Sequence, residues 1–508
     1  MTVLDYLQEH ILLLDGGMGT MLQAAGMQSG ERSEAWNLSR PEAVRGVHRA
    51  YFDAGSNVVN ANTFGALPLL YGEKELEELV AAAMENARAA REESTGSQPK
   101  WVALDIGPTG QLLQPFGSLA FADAVAAFAA LVRLGVKHGA ELICIETMND
   151  CYETKAALLA AKEQSGLPVF VTNAYGAGGR LMTGADPAAM TALLEGMGAD
   201  AVGVNCSLGP KALRGVVEEY LRRASVPVIL KPNAGLPRVE AGTTVYDVPP
   251  EEFAFDVAEM VRAGVRICGG CCGTTPDFIR ALRSALPDRP VPLRDKGLTV
   301  ISSSKQAVTF GGAEAPVLIG DRMDPRRDED VREALLEDEL EDLLDLADEQ
   351  EEDGAQVLRV SAALPELDEP SVLARMAAQL QTATALPLQF DSADPAAMER
   401  ALRCYNGKAL LSAVSGAQAS MDAFFPLLKK YGGVALVLAE DENGVPPTAE
   451  GRVESAKKIL REAEKYGVAK KDLIFTVPGA SDAAAAQDAL RAIERELGCK
   501  TALCMGRI

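Results

Sequence analysis

Short runs of β-branched and other apolar residues alternate along the chain with longer stretches whose apolar positions recur at helical spacing. This alternation predicts repeated strand–helix units, which are typical of a parallel sheet. The amphipathic segments "PEAVRGVHRAYFDAG" and "ETKAALLAAKEQSG" end in Gly, as helices commonly do. Eight runs in the first part of the chain fit strands: 11–15, 57–61, 101–106, 141–146, 168–173, 200–205, 227–233 and 265–268.

Eight strand–helix units in about 280 residues match the size of a (β/α)8 TIM barrel. Glycines, acids, asparagine and cysteine cluster directly after the predicted strands. In a (β/α)8 barrel the loops that follow the strands meet at one end and build the active site. We therefore expect these loops to lie together. They read "DGGMGT", "NTFGA", "IGPTG", "ETMND", "NCSLGP", "PNAGLP" and "GGCCGTTP".

The regular alternation is interrupted after residue 290. Residues 291–315 carry Pro, Gly and Ser without clear periodicity, which indicates a linker between a domain at 1–290 and a second domain at 316–508. The second domain is an α/β barrel with seven strand-like runs, and is therefore incomplete at its C-terminus. We favour a fragment of a longer protein. The runs are 316–321, 355–360, 386–391, 408–412, 433–438, 472–477 and 501–505.

Composition adds to this picture mainly by exclusion. The chain is 48% hydrophobic, yet it has no run of about 18 apolar residues that could span a membrane. Its formal net charge of −23 argues against a nucleic-acid partner, because phosphates would be repelled. The N-terminus shows no signal peptide, and nine cysteines in 508 residues do not resemble a disulfide scaffold. We expect a cytoplasmic protein.

Much of the negative charge lies in residues 328–353, where fifteen of twenty-six residues are Asp or Glu. Five of the six leucines in this segment interrupt the acids at a spacing that fits one face of a helix. We predict a single, heavily solvated helix, and a docking surface for a partner is the alternative. The leucines are Leu335, Leu336, Leu340, Leu343 and Leu344.

Three cysteines stand in glycine-rich loops after predicted strands. Cys206 follows strand six in "GVNCSLGP", and Cys271 and Cys272 follow strand eight in "GGCCGTTP". These loops can converge over the barrel mouth, and the flanking glycines allow tight turns. Three thiolates suit Zn²⁺ with one position vacant, which is the arrangement of a catalytic zinc site. The alternative is that all three are buried packing residues.

Such a site favours a thiol as substrate. A free thiol has a pKa of about 8.5, and coordination to a metal removes its proton, so that a nucleophilic sulfur exists at neutral pH. Zinc-bound water for hydrolysis is the competing chemistry. It usually comes with His and carboxylate ligands, whereas the three histidines of this chain, His10, His48 and His138, lie outside the strand-end motifs.

An amino-acid thiol would need a partner for its ammonium group and donors for its carboxylate. Glu146 in "IETMND" and Asp15 in "LLLDGGMGT" are candidates for the ammonium group. The backbone N–H groups of the glycines after Asp15, including Gly17, are candidates for the carboxylate. Both acids have an alternative role as helix caps. Asn233 in "KPNAG" is a further candidate that would orient a loop or contact the substrate.

The ordered loops of residues 1–290 resemble the homocysteine S-methyltransferase family, and most of all the homocysteine module of cobalamin-dependent methionine synthases. "DGGMGT", "ETMND", "GVNCSLGP" and "GGCCGTTP" occur here in the family's order. The resemblance implies a (β/α)8 barrel in which Cys206, Cys271 and Cys272 bind Zn²⁺, and in which this ion binds the sulfur of homocysteine. Glu146 and the loop containing Asp15 would hold the amino-acid end.

The second domain resembles the pterin-binding barrel that receives methyltetrahydrofolate in the same enzymes. "VLIGDRMDP" stands where that family reads G-E-R-I-N-P, and Asp391 in "FDS" remains as a candidate cofactor-binding residue. Other polar positions depart from the family pattern, so we expect the fold without folate binding. The departures are Asp321 and Asp324 for Glu and Asn, Arg359, Val360 and Ser361 for Asp-Val-Asn, Ser412 for Asn, and Thr476 for Asp.

The methyl donor stays open at this stage. In the family, methyl transfer from cobalamin needs a corrinoid-binding part with an Asp-x-His-x-x-Gly motif, and none of the three histidines fits it. Cobalamin would therefore sit on an absent C-terminal part or on a separate methyl-corrinoid protein. Two alternatives are a homocysteine methyltransferase that uses S-methylmethionine or betaine, and a non-catalytic component that docks a corrinoid protein.

Overall fold

The structure, a computed structural model, describes residues 1–28, 30–240, 243–311, 316–477 and 483–503. The chain divides into two compact units, each built on one parallel sheet: Met1–Glu195 with Ala199–Lys296, and Gly196–Gly198 with Gly297–Ile508. Within the described part of the chain, none of the helices combines the length and the apolar character needed to cross a membrane.

The first unit contains an eight-stranded parallel sheet that curls into a near-barrel, as the sequence predicts. The strands follow the order β1-β10-β7-β6-β5-β4-β3-β2, and a separate antiparallel pair, β8 and β9, lies in the chain between β7 and β10. The strands are β1 (Leu12–Leu13), β2 (Val58–Asn60), β3 (Trp101–Ile106), β4 (Leu142–Met148), β5 (Val169–Asn173), β6 (Ala201–Asn205), β7 (Val228–Lys231), β8 (Arg238–Glu240), β9 (Thr243–Val245) and β10 (Ile267–Cys268).

Helices connect these strands, and their ends follow local sequence rules. Helix α4 begins at Pro41, whose missing N–H is not needed in a first turn, and stops at Gly55, which adopts a left-handed φ of 111°. The helices are α1 (Val3–Glu9), α2 (Met18–Ala24), α3 (Trp36–Ser39), α4 (Pro41–Ala54), α5 (Glu73–Glu93), α6 (Phe121–Lys137), α7 (Cys151–Gln164), α8 (Pro187–Gly196), α9 (Pro210–Arg223), α10 (Pro250–Ala263) and α11 (Pro276–Ala285).

Apolar side chains from the strands fill the inside of the near-barrel and form its hydrophobic floor. Helix α1 packs against the same floor, where the ring of Tyr6 lies 5.5 Å from the ring of Trp101, the first residue of β3. The floor is therefore closed at the amino ends of the strands. Its members are Val3, Tyr6, Leu7, Leu12, Leu14, Val58, Trp101, Ala103, Leu142, Cys144, Phe170, Ala201, Ile229 and Ile267.

Asn57 makes two of the hydrogen bonds that join the two ends of this sheet. The backbone N–H of Asn57 donates to the carbonyl of Leu13 at 2.6 Å, and the side-chain Oδ1 of Asn57 accepts the N–H of Leu13 at 3.0 Å. Because β1 has only two residues, the Asn57 side chain supplies a hydrogen bond that a longer strand would take from its neighbour's backbone.

The second unit contains a seven-stranded parallel sheet that forms a half-barrel, in agreement with the seven runs seen in the sequence. Its strands follow one another in chain order. They are β13 (Ile319–Met323), β14 (Val357–Val360), β15 (Leu388–Asp391), β16 (Leu410–Val414), β17 (Val434–Leu438), β18 (Leu473–Thr476) and β19 (Lys500–Ala502); the last two residues of the run predicted at 501–505 lie outside the described residues. Its helices are α12 (Glu329–Glu337), α13 (Asp342–Glu352), α14 (Glu369–Ala383), α15 (Pro395–Cys404), α16 (Gln418–Tyr431), α17 (Ala449–Lys465) and α18 (Ala483–Leu497).

The segment interpreted from sequence as a linker contains an antiparallel hairpin, β11 (Thr299–Ser302) and β12 (Ala307–Phe310). Ile301 of this hairpin is fully buried in the core of the second unit, together with Val357, Leu410, Val434 and Ile474. In the loop before β16, the carbonyl of Lys408 accepts the backbone N–H of Ser302, and the N–H of Lys408 donates to the side-chain hydroxyl of Ser302. The hairpin is therefore a structural part of the second unit.

The acidic segment forms two helices, so the prediction of a single helix is wrong. Helix α12 ends at Asp338, which adopts a left-handed φ of 64°, and α13 begins four residues later. The expected apolar face is partly confirmed, because Leu335, Leu340 and Leu343 are buried, whereas Leu336 is 45% exposed. Leu336 follows Leu335 directly in α12 and lies off the face that Val331, Ala334 and Leu335 bury.

Candidate functional site

Six polar side chains lie at the carboxyl ends of six strands of the first unit, one on each strand. Five of them stand two residues after a member of the hydrophobic floor, and the sixth stands four residues after one. Residues two apart in a strand share a face, so these side chains point into the same interior as the floor. We call them the polar ring: Asn60, Asp105, Glu146, Thr172, Asn205 and Lys231.

Three cysteines lie at the same end of the near-barrel and form a sulfur cluster, defined as Cys206, Cys271 and Cys272. Their sulfur atoms all lie within 4.8 Å of one another, and those of Cys206 and Cys272 are 3.9 Å apart. The side-chain amide of Asn205 donates to the sulfur of Cys271 at 3.8 Å, which connects the cluster to the polar ring. All three cysteines are partly exposed as residues.

The backbone around Cys206 is held in an uncommon conformation. Cys206 and Ser207 have left-handed φ angles of 58° and 59°, although neither is glycine. The N–H of Cys206 donates to the carbonyl of Lys231 at 3.0 Å, which anchors this turn to the end of β7. Backbone strain of this kind costs about 1–3 kcal/mol per residue and persists where the surroundings fix it. Here it places the sulfur of Cys206 opposite the Cys271–Cys272 loop.

Asn233 links the two loops that supply the sulfur atoms. Its Oδ1 accepts the N–H of Cys272 at 3.1 Å, and its side chain also hydrogen-bonds the sulfur of Cys206. The N–H of Cys271 donates to the carbonyl of Pro232 at 2.9 Å. The "KPNAG" segment after β7 therefore orients both halves of the sulfur cluster.

The three thiols share protons in the metal-free protein. The thiols of Cys271 and Cys272 donate to the sulfur of Cys206 and lower the pKa of Cys206 to about 3. The same hydrogen bonds raise the pKa of Cys272 to about 11 and that of Cys271 well above its usual value.

Two glycines allow neighbouring segments to approach the cluster closely. Gly273 has a φ of 80°, and a Cβ there would lie 2.3 Å from the ring of Tyr246. A Cβ on Gly17 would lie 2.8 Å from the carbonyl oxygen of Cys271. The N–H of Gly17 donates to Thr274 at 3.2 Å, so this amide is engaged within the protein.

A buried group of charges lies in the polar ring and beside it. The ammonium of Lys231 is 2.7 Å from Oε2 of Glu146 and 3.5 Å from Oδ1 of Asp15. Asn60 contacts both acids, since its side-chain amide donates to Glu146 at 3.1 Å and its backbone N–H donates to Asp15 at 2.8 Å. These contacts hold the two carboxylates that the sequence singled out within reach of one another.

Burial shifts the pKa values of this group strongly. It raises the pKa of Asp15 to about 6, although the charge of Lys231 and the N–H of Asn60 act in the opposite direction. Burial disfavours the charged form of Lys231, but Glu146 and Asp15 outweigh that effect and raise the pKa of Lys231 well above its usual value. Lys231 therefore stays positively charged inside the near-barrel.

The sulfur cluster fits a metal ion that prefers sulfur ligands. With Zn–S bonds of about 2.3 Å, tetrahedral geometry places sulfur atoms about 3.8 Å apart, and the sulfur atoms of Cys206 and Cys272 are 3.9 Å apart. The cluster supplies three ligands and leaves one coordination position for a substrate. His, Asp and Glu do not belong to it: the group that the described residues form contains cysteine alone.

The structure brings together most residues that the sequence singled out in the first unit. Cys206, Cys271 and Cys272 converge, Asp15 and Glu146 share Lys231, and Asn233 contacts the cluster. Sequence reasoning missed five members of the polar ring. Each is a polar residue of a predicted strand, and its orientation toward the floor becomes clear once the strand register is known. They are Asn60, Asp105, Thr172, Asn205 and Lys231.

At the corresponding strand ends of the second unit, two aspartates share two arginines. Arg326 lies 2.8 Å from Asp324 and 2.6 Å from Asp391. Arg359 lies 3.2 Å from Asp324 and also contacts Asp391. Ser412 donates to the second oxygen of Asp391 at 3.2 Å. We call Asp324, Arg326, Arg359 and Asp391 the Arg–Asp network.

This network does not fit a pterin ring. A carboxylate recognises a pterin by accepting hydrogen bonds from its N–H groups, but both carboxylates here already accept bonds from guanidinium groups. Burial disfavours the charge of Asp324, yet the hydrogen bonds from Arg326 outweigh it and hold the pKa of Asp324 below its usual value. Asp391, the candidate that remained from the sequence, is therefore engaged within the protein.

Comparison with known proteins gives two family matches. Residues 12–286 match the model of the homocysteine S-methyltransferase family, and residues 327–507 match that of pterin binding enzymes. A methionine synthase of Mycobacterium tuberculosis is 28% identical over 497 residues, and that of Mycobacterium leprae is 28% identical over 502 residues. Each alignment covers 93% of this chain and 42% of the relative, so the chain spans less than half the length of these relatives.

A solved structure of the homocysteine methyltransferase MmuM from Escherichia coli, in its metallated form, is 25% identical. The match covers 54% of this chain and 96% of that chain, with a TM-score of 0.46. The first family match spans more than half of the present chain and contains the whole of the sulfur cluster. The chain belongs to the homocysteine S-methyltransferase family.

Proposed function

We propose that the first unit transfers a methyl group to the thiol of homocysteine and so forms methionine, with Zn²⁺ held by Cys206, Cys271 and Cys272. The observation that carries this proposal is the position of the sulfur cluster beside a buried acid–lysine group, since the N–H of Cys206 donates to the carbonyl of Lys231. The sulfur cluster would bind a thiol through a metal, and the acid–lysine group suits the charged ammonium end of an amino acid. A simple alkyl thiol would have no use for the acid–lysine group.

In this proposal, bound Zn²⁺ supplies the Lewis acidity that lets a thiol lose its proton at neutral pH. Asp15 and Glu146 hold the ammonium group of the substrate. The first turn of α2, whose N–H groups the helix itself cannot pair, faces the substrate carboxylate. Asn205 and Asn233 fix the sulfur atoms of the cluster. The substrate sulfur then bonds to the methyl carbon as the donor's bond to that carbon breaks, and the thiol proton passes to solvent.

The methyl donor that we propose is a methyl-corrinoid domain or protein. The mycobacterial relatives are methionine synthases more than twice as long as this chain, which supports a larger assembly. The Arg–Asp network favours a second candidate, in which the donor is S-methylmethionine or betaine and no folate takes part, because both buried carboxylates of the second unit are already engaged.

The test combines metal analysis with donor supply. Cys272→Ala should lose most of the bound zinc and most of the methyl transfer to homocysteine, because two sulfur ligands hold zinc far more weakly than three. Cys268→Ala is the matched control, since Cys268 is a fully buried cysteine of β10 outside the cluster, and it should keep both. Full zinc content and normal turnover in Cys272→Ala would refute the proposal.

Each donor is then supplied separately with homocysteine to the unaltered chain. Methylcobalamin should support methionine formation if the corrinoid proposal is correct. Turnover with S-methylmethionine or betaine, and none with methylcobalamin, would select the second candidate instead.

A further inference from the structure

Asp105 is a carboxylate of the polar ring that the proposed function leaves unused. It stands two residues after Ala103, a member of the hydrophobic floor, and is 7% exposed. The intervening Leu104 points the other way, toward α6, where a Cβ on Gly135 would lie 2.5 Å from it. The carboxylate of Asp105 therefore points into the interior of the near-barrel.

Two buried oxygen atoms of the polar ring accept no hydrogen bond. Oδ1 of Asp105 and Oδ1 of Asn60 have no partner among the described residues. The orientation of the Asn60 amide is fixed, because its nitrogen donates to the Glu146 carboxylate, which can only accept. Buried polar atoms are nearly always paired, so two free acceptors in one ring indicate that a donor is missing.

The charges of the same region are also unbalanced. Asp15, Asp105 and Glu146 are three carboxyl groups, and Lys231 is the ammonium group among them. Lys231 is shared by Asp15 and Glu146, so Asp105 has no ion pair with it. Burial, followed by the nearby charge of Glu146, raises the pKa of Asp105 well above its usual value. A ligand with one positive charge and several N–H donors would satisfy both free oxygens.

We propose that Asp105 and Asn60 form a binding site for the ammonium group of an amino-acid thiol, and that Asp105 makes the site select this substrate over a thiol without an amino group. The proposal rests on the proposed function, because it concerns the same substrate. It adds a third carboxylate to Asp15 and Glu146. An alkylammonium group has three N–H donors, and Asp105, Asn60 and Glu146 offer one acceptor each.

The experiment measures binding rather than turnover. The full chain is loaded with Co²⁺ in place of Zn²⁺, and the thiolate-to-metal absorption is titrated with L-homocysteine and with 4-mercaptobutanoate. The second thiol has the same carbon chain and carboxylate but lacks the amino group. In Asp105→Asn, the dissociation constant for homocysteine should rise about ten-fold or more, because a charged acceptor is lost, whereas that for 4-mercaptobutanoate should change less than about two-fold.

Asp256→Asn is the matched control. Asp256 is 5% exposed, like Asp105, but it lies on the outer helix α10. Its substitution makes the same chemical change in a similarly buried place and should alter neither dissociation constant. Asp105→Ser removes the carboxylate by truncation and should reproduce the selective loss, which guards against a folding defect particular to one variant.

The outcomes separate this inference from the proposed function. If the unaltered chain binds neither thiol, the proposed function fails. If the unaltered chain binds homocysteine, but Asp105→Asn and Asp105→Ser bind both thiols as before or lose both equally, the ammonium site is wrong while the proposed function stands. A loss confined to homocysteine supports the inference.

Discussion

Asp15 illustrates how a single residue can be both buried and ionisable within the working range of an enzyme. Its carboxylate accepts the backbone N–H of Asn60 and lies near Lys231, yet burial raises its pKa to about 6. Above this pH it carries a negative charge that can hold an ammonium group. Below it, Asp15 takes up a proton and that attraction is lost.

The preference of the site for homocysteine over 4-mercaptobutanoate should therefore fall as the pH decreases through about 6. The ratio of the two dissociation constants is the quantity to measure, since protonation of the cysteines affects both thiols and cancels. We expect the ratio to change by about ten-fold between pH 7.5 and pH 5, the size of one charged hydrogen bond.

Asp15→Asn supplies the control for this pH dependence. The variant has no titrating group at that position, so its ratio should stay nearly constant over the same range. A ratio that falls equally in the variant would assign the titration to another residue and contradict the role of Asp15.

At this scale the sequence predicted the residues whose chemistry is unusual. Cys206, Cys271 and Cys272 were found because cysteine in glycine-rich strand-end loops is rare outside metal sites. Lys231 was not found, because a lysine next to Pro232 and Asn233 gives no sign of being buried. Its position becomes informative only when the strand register is known and Ile229 is seen to face the floor.

Strands β6 and β7 approach each other so closely that one position in β6 accepts only glycine. A Cβ on Gly203 would lie 2.0 Å from the carbonyl oxygen of Ile229 and 2.7 Å from its backbone nitrogen. A backbone cannot move aside as a flexible side chain can. Gly215 in α9 is the opposite case, because it is exposed and a Cβ there would meet nothing within 4 Å.

Gly203→Ala should destabilise the first unit by about 3 kcal/mol or more, as overpacking against fixed neighbours does. Gly215→Ala should stabilise it by about 0.5–1 kcal/mol, because alanine in a helix restricts the unfolded chain. Urea denaturation followed by tryptophan fluorescence measures both, since both tryptophans of the chain, Trp36 and Trp101, are buried in the first unit. Equal midpoints for the two variants would contradict this account.

Elements were predicted well where a periodic pattern ran without interruption, and less well where one residue changed the chain direction. The acidic segment keeps a helical spacing of leucines across Asp338, so its pattern did not predict the left-handed φ of Asp338 that ends α12. The hairpin at 299–310 was read as a linker, since serines and a lysine separate its two short strands. Both outcomes depend on tertiary contacts, such as the burial of Ile301, which a local pattern does not contain.

At the scale of the whole molecule, both parallel sheets follow from the alternation of strands and helices in the sequence. The closure of the first sheet does not, because it depends on individual hydrogen bonds between the β1 and β2 segments, among them those of Asn57, that the alternation does not contain. The second sheet matches the pterin-binding family in its fold, while the Arg–Asp network takes up its buried carboxylates. Fold and ligand recognition are thus separate properties of this unit.

Methyltetrahydrofolate should show no saturable binding to the full chain in the micromolar to millimolar range. The reason is that a pterin would have to displace guanidinium groups from both Asp324 and Asp391. Isothermal titration calorimetry with the folate is the measurement. A titration of the same zinc-loaded sample with homocysteine shows that the protein is competent to bind ligands. Saturable folate binding at micromolar concentration would show that the network opens.

The two-residue spacing between the hydrophobic floor and the polar ring has a consequence for how such a chain diverges. Residues of the hydrophobic floor, such as Ala103 and Ile229, and residues of the polar ring, such as Asp105 and Lys231, are neighbours on the same strands but belong to different layers. Single-codon changes in the polar ring can therefore alter substrate choice while the hydrophobic floor keeps its packing. The substrate specificity of such a chain can therefore change without an intermediate variant that has lost folding stability.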